Sequence, residues 1–198
     1  MEPCKYARDS VILIVGGMGP LAGIQCYKYV LENYKSDGTD QDNLDTVIVS
    51  YPGRIENRVD YVLGRSSINP GDCILRFIKP HLEVLMSTHK KVVVGIPCVT
   101  FHCPAIFSSF CDRLHNEYPN VQVISIVKCT ADFISLHCPT ISRIGIMSTD
   151  GTRSAKPFKR EMDELDKSLV YLTDEQQAIV TDCIFNTEWY FYYMISNL

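Results

Sequence analysis

Six short apolar runs, each followed by a helix-like stretch, constrain this chain more than any single residue does. Residues 11–15, 46–50, 91–96, 121–127, 143–147 and 168–172 read as strands. Residues 21–34, 72–88, 105–118, 131–137, 155–165 and 174–193 read as helices. Alternation of this kind predicts an α/β fold of parallel sheets covered by helices and joined by right-handed crossovers. Pro80 falls inside the second helix and predicts a kink or a break there. Thr173, with Gln176 three residues on, has the pattern of a helix-starting capping box. A strand, a glycine or threonine turn, a helix, a strand and a helix occur from Val11 and again from Arg143. Two pseudo-related, doubly wound parallel-sheet domains are therefore expected, over residues 1–120 and 121–198. The second is expected to be incomplete, because the chain stops at Leu198 after the helix, with no further strand.

In open α/β sheets ligands bind outside the carboxyl ends of the strands. Cys98 lies at such an end, in Pro97-Cys98-Val99-Thr100-Phe101-His102, directly after the run 92–96. A helix from Pro104 would direct its positive end at the thiol, which favours thiolate and makes Cys98 the expected first target of alkylation. The loop would offer backbone N–H groups and the Thr100 hydroxyl to an anion. A buried structural cysteine fits the same position. Residues 11–20 form a second strand end, Val-Ile-Leu-Ile-Val-Gly-Gly-Met-Gly-Pro. The turn is tight enough for close approach of a ligand. It is not a dinucleotide fingerprint, because Gly23 falls out of phase and Pro20 has no N–H.

Composition narrows the class. The chain has 198 residues, 46% hydrophobic and 21% charged, enough for a core and too few for more than two small domains. A formal net charge of −4 gives no support for nucleic-acid binding. The apolar run at Val11 is five residues long, too short for a signal peptide or a membrane span. Nine cysteines, odd in number and scattered, point to reduced thiols in a cytoplasm-like compartment. Cys98, His102 and Cys103 lack the paired spacing of a zinc site.

Four segments in order resemble the aspartate/glutamate racemase family, the cofactor-independent amino-acid racemases. They are Gly16-Gly17-Met18-Gly19-Pro20; Pro52-Gly53-Arg54-Ile55-Glu56-Asn57-Arg58-Val59; Cys98-Val99-Thr100-Phe101-His102; and Gly145-Ile146-Met147-Ser148-Thr149-Asp150-Gly151-Thr152. The likeness runs from about Val11 to about Phe185. It implies Cys98 as a catalytic thiol, Arg58 as a clamp on a substrate carboxylate, and Met18, Thr100, Thr149 and Thr152 around the substrate. It implies no cofactor and no metal, and as ligand a small amino acid or dicarboxylate, with a homodimer left open and neither nucleic acid nor membrane as partner. Thr149 and Thr152 would equally serve a turn and a helix cap. Arg54 and Arg65 have no motif support and read as solvated.

Several positions depart from the family pattern. Val99 stands for an asparagine, Val59 for a threonine and Gly53 for a polar residue. Each change removes a hydrogen-bonding group, worth about 1.5–3 kcal/mol where the partner is a buried charge. The family's second catalytic cysteine belongs to a segment this chain lacks, and Cys129, Cys138 and Cys183 do not follow a strand at that position. Gln177, Val180, Ile184 and Phe185 fit a family helix pattern, but Trp189 stands where lysine is expected. The segment after Phe185 therefore reads either as an amphipathic helix with an aromatic face or as a foreign tail after a truncation. Three functions follow: a racemase of aspartate or glutamate using thiol and thiolate, a single-cysteine lyase or isomerase of the same superfamily, or a catalytically impaired carboxylate binder.

Overall fold

A computed structural model describes residues 8–186. Four strands, β1 (Ser10–Gly16), β2 (Thr46–Ser50), β3 (Lys91–Gly95) and β4 (Val121–Ile124), form one parallel sheet in the order β2-β1-β3-β4. β5 (Arg143–Ile146) and β6 (Ser168–Tyr171) pair in parallel as a second sheet. The helices are α1 (Pro20–Asn33), α2 (Arg58–Val62), α3 (Pro70–Thr88), α4 (Pro104–Glu117), α5 (Ile126–His137), α6 (Asp150–Ala155), α7 (Lys159–Glu164) and α8 (Asp174–Phe185). The mixed α/β architecture expected from the alternation is thus present. The four-stranded sheet runs through Ile124, past the expected division at residue 120.

The core lies in the first sheet and its helices. Leu13, Val15, Val92 and Val94 of the two central strands are sealed from solvent. α3 turns Ile74, Leu75, Ile78, Leu82 and Leu85 inward, and α4 turns Ile106, Phe110 and Leu114, spacings of three and four that make one helical face. The two helices pack on each other. Burying each such side chain contributes on the order of 1.5–3 kcal/mol, so this layer dominates the stability of the unit. Salt bridges Lys79–Glu117 and Arg113–Asp72 tie the same helices at their exposed rim, where such pairs add little.

Four local features differ from the sequence expectation. α3 continues through Pro80 without a break. Pro80 is exposed, and so is Arg76, whose carbonyl loses its N–H partner and faces water instead. The strand expected over 121–127 ends at Ile124, because Ser125 caps α5 by accepting from the Lys128 N–H. The helix expected over 155–165 is split into α6 and α7, as Lys156 turns left-handed with φ 48° just before Pro157. α2 was not expected; Asn57 starts it by accepting from the N–H groups of Val59 and Asp60 at 2.9 and 3.4 Å. α8 begins with the expected capping box of Thr173 and Gln176. Trp189 and the rest of the helix expected to reach residue 193 lie outside the described residues.

The strand ends of the first sheet share one edge. Gly16 pairs with Ser50, Ile14 with Gly95, and Gly95 with Ile124. The loops that leave Gly16, Ser50 and Gly95 therefore emerge side by side. The second unit meets them there: α6 packs against α2 and against the short turn Thr100–His102, while α5 packs on α7.

Candidate active site

The glycine turn after β1 presses on the chain that leaves β2. Gly17 has φ +97°, and a Cβ there would lie 3.1 Å from the Pro52 nitrogen and 3.2 Å from the Tyr51 nitrogen. Only glycine accepts both the backbone angle and the contact. Met18 follows at 7% exposure, with its side chain part of the hydrophobic core.

Arg58 opens α2 and is half-buried. One terminal nitrogen donates to the Glu56 carbonyl at 3.5 Å, and its Nε is buried with no hydrogen-bond partner. It forms no ion pair among the described residues. A buried guanidinium nitrogen without an acceptor is costly and invites one.

The Cys98 loop is fixed from below. The Cys98 N–H donates back to the Ile96 carbonyl at 2.8 Å. His102 Nδ1 lies 2.9 Å from the Cys98 carbonyl, which can only accept, so Nδ1 carries the proton. The ring packs on Phe107 with centroids 4.4 Å apart, and its Nε2 has no partner. Burial pushes the ring's pKa down, against the pull of the Cys98 and Ile124 carbonyls. Burial likewise raises the Cys103 thiol, and the neighbouring Cys98 adds to the effect.

Three threonines meet above this loop. Thr100 Oγ1 lies 2.8 Å from Thr152 Oγ1 and 3.2 Å from Thr149 Oγ1, and Thr149 Oγ1 donates to Thr152 Oγ1 at 3.2 Å. Thr149 also caps α6, accepting from the Thr152 N–H at 3.3 Å. The helix cap expected of Thr149 is thus present, on the same hydroxyl that meets Thr100 and Thr152. Gly151 permits the approach: a Cβ there would fall 3.0 Å from Val59 Cα and 3.3 Å from Thr100 Cγ2. Arg58, Thr100, Thr149 and Thr152, with Cys98 two residues from Thr100, therefore gather where the two units touch. Among the described residues no hydrogen bond joins the Cys98 thiol to Arg58 or to the threonines.

No family model matches the chain. Its fold is similar to that of a solved aspartate racemase from Picrophilus torridus, at 20% identity and a TM-score of 0.66 over 88% of this chain and 66% of that one. The chain has the aspartate racemase fold. An aspartate racemase homologue from Pyrococcus horikoshii matches at 17% identity and TM-score 0.59, over 88% of this chain and 70% of that one. A protein from Yersinia pestis assigned as an Asp/Glu racemase matches at 13% and 0.62, over 89% and 70%. This chain spans just under two thirds of the Picrophilus racemase.

Within the aspartate racemase fold seen here, two placements differ from the sequence reading. Cys98 is 9% exposed, whereas Cys129 and Cys183 are exposed, so Cys98 is less accessible than its place at a strand end suggests. All eight cysteines among the described residues are free. Gln177, noted only for its place in a helix pattern, supports the site: it is 4% exposed and donates to the Ser148 carbonyl at 2.9 Å and to Thr181 at 3.2 Å. Thr181 donates in turn to Asp150 at 3.2 Å, so α8 holds both ends of the turn that carries Thr149. The only sequence signal for that role was the place of Gln177 in the helix pattern with Val180, Ile184 and Phe185. Among the described residues no helix is long and apolar enough to cross a membrane.

Proposed function

We propose that this chain is a cofactor-independent amino-acid racemase acting on aspartate or glutamate, with Cys98 as a proton-transferring thiol. The observation that carries the reading is the meeting of Thr100, Thr149 and Thr152 from the two units beside the Cys98 loop, in an aspartate racemase fold. The Cys98 thiolate takes the proton from the substrate α-carbon, and the C–H electron pair passes into the α-carboxylate as an enediolate. Return of a proton to the opposite face inverts the centre, and return from Cys98 to the same face restores it. Arg58, with its unpartnered Nε, grips a carboxylate with parallel hydrogen bonds. The threonine hydroxyls and the N–H groups at the start of α6 stabilise the charge that grows on the carboxylate.

One observation favours exchange over inversion. Among the described cysteines Cys98 alone follows the carboxyl end of a strand; the others lie on helices, at a helix start or at a helix end. Proton NMR in D2O on aspartate and glutamate tests both readings. Deuterium should enter at the α-carbon faster than optical rotation is lost, and Cys98→Ser should abolish it. Malate binding, measured calorimetrically, should weaken at least tenfold in Arg58→Ala. Absence of Cys98-dependent exchange, with malate binding equal in both proteins, would overturn the racemase reading.

A further inference from the structure

Most arginines of this chain have acidic partners. Arg8 pairs with Asp42, Arg65 with Asp60, Arg113 with Asp72, Arg153 with Asp174, and Arg160 with Glu161 and Glu164. Arg54, Arg58, Arg76 and Arg143 have none among the described residues, and of these Arg54 and Arg76 line one cavity of about 290 Å³ together with Cys73 and Phe77. No carboxylate lines it. In a chain of net charge −4, two free guanidinium groups facing a common cavity repel each other unless an anion lies between them.

Aromatic rings flank the cavity. The Arg54 guanidinium sits over the Tyr51 ring, 5.9 Å from its centroid. Tyr51 packs against Phe77 at 5.0 Å and His81 at 6.2 Å, and its backbone is fixed by the close approach of Gly17. Arg76 projects from the middle of α3, a helix anchored in the core by its opposite face. Arg54 thus rests on an aromatic pair and Arg76 on a helix packed into the core. Arg58, Cys98 and the threonines do not line the cavity.

We propose that Arg54 and Arg76 form a second anion-binding site, separate from the Cys98 site, that takes the phosphate or carboxylate group of a small molecule. Each guanidinium donates two N–H groups to one oxyanion, and Phe77 gives an apolar wall for the carbon frame of the ligand. The planar fork of arginine suits both oxyanions, so the two sources are separated by experiment.

The test is thermal unfolding of the full chain at constant ionic strength, titrated with inorganic phosphate, with malonate, or with chloride alone. Phosphate or malonate should raise the midpoint saturably above the chloride control. In an Arg58→Ala background, which removes dicarboxylate binding at the proposed substrate clamp, a saturable response should remain, and Arg54→Gln and Arg76→Gln should each weaken it at least tenfold in apparent affinity. Both arginines are exposed, so circular dichroism of the variants should match wild type. A stronger response to phosphate assigns a phosphate ligand, and a stronger response to malonate a carboxylate. A response no greater than that to chloride, one retained in both glutamine variants, or one lost in Arg58→Ala would overturn the second site. The last outcome would assign the anion to Arg58 and leave the racemase reading standing.

Discussion

A methyl group at position 151 is the smallest probe of how closely the two units meet. In Gly151→Ala the new carbon would stand 3.0 Å from Val59 Cα and 3.2 Å from Val59 Cγ2, against backbone that has little room to move. Overpacking of this kind typically costs about 1–3 kcal/mol, so the unfolding free energy should fall by that much, read as a lower urea midpoint at an unchanged slope. His102 gives a second prediction, in pH. Burial holds its folded pKa below the ordinary value of 6.5, so on acidification the unfolded chain takes up a proton before the folded one does. Its stabilising contribution is present above pH 6.5 and is lost as pH falls toward the folded pKa. The urea midpoint of wild type should therefore drop more steeply between pH 7 and 5 than that of His102→Asn. At this scale the residue types of the site were legible: Cys98, Thr100, Thr149 and Thr152 stand in recognisable turns. The contact among the hydroxyls was not, because it joins residues 49 and 52 positions apart. Nor was the burial of Cys98, which depends on what packs over the loop.

Elements were legible wherever the local code was complete. Every expected strand is present, because a β-branched run ended by a glycine, a serine or a turn admits few other structures. The Thr173 box is present for the same reason. α2 escaped notice because five residues are too few to show a helical period. The α6–α7 break could have been read from Pro157, which disfavours helix at Lys156. Pro80 shows the opposite limit. Proline in a helix interior costs about 3 kcal/mol relative to alanine, yet α3 tolerates it because the buried face Ile74, Ile78, Leu82 and Leu85 holds the helix together. Pro80→Ala restores a donor to the Arg76 carbonyl on the exposed side. It should raise stability by about 1–3 kcal/mol, seen as a higher urea midpoint with an unchanged slope.

On the scale of the molecule, two sheets of unequal size share one polar junction. The larger carries the sealed core, while the exposed Met147 and Val170 lie in or next to the two-stranded sheet. Thr152→Val keeps the shape of the side chain but removes two of the three hydroxyl contacts at the junction. Deuterium exchange should then quicken in α2 and α6 and leave β1 and β3 unchanged, as read by mass spectrometry of peptides. Unchanged exchange in α6 would show that apolar contact at Gly151 alone holds the units together. The junction also has an arithmetic of protons. Thr100, Thr149 and Thr152 own three hydroxyl hydrogens, and a closed triangle of hydrogen bonds uses all three. A carboxylate that recruits any one of these hydrogens must open the triangle. On the proposed reading, ligand affinity and cohesion of the two units are reciprocal quantities: whatever prises them apart sharpens the grip on an anion, and an anion held there is a wedge.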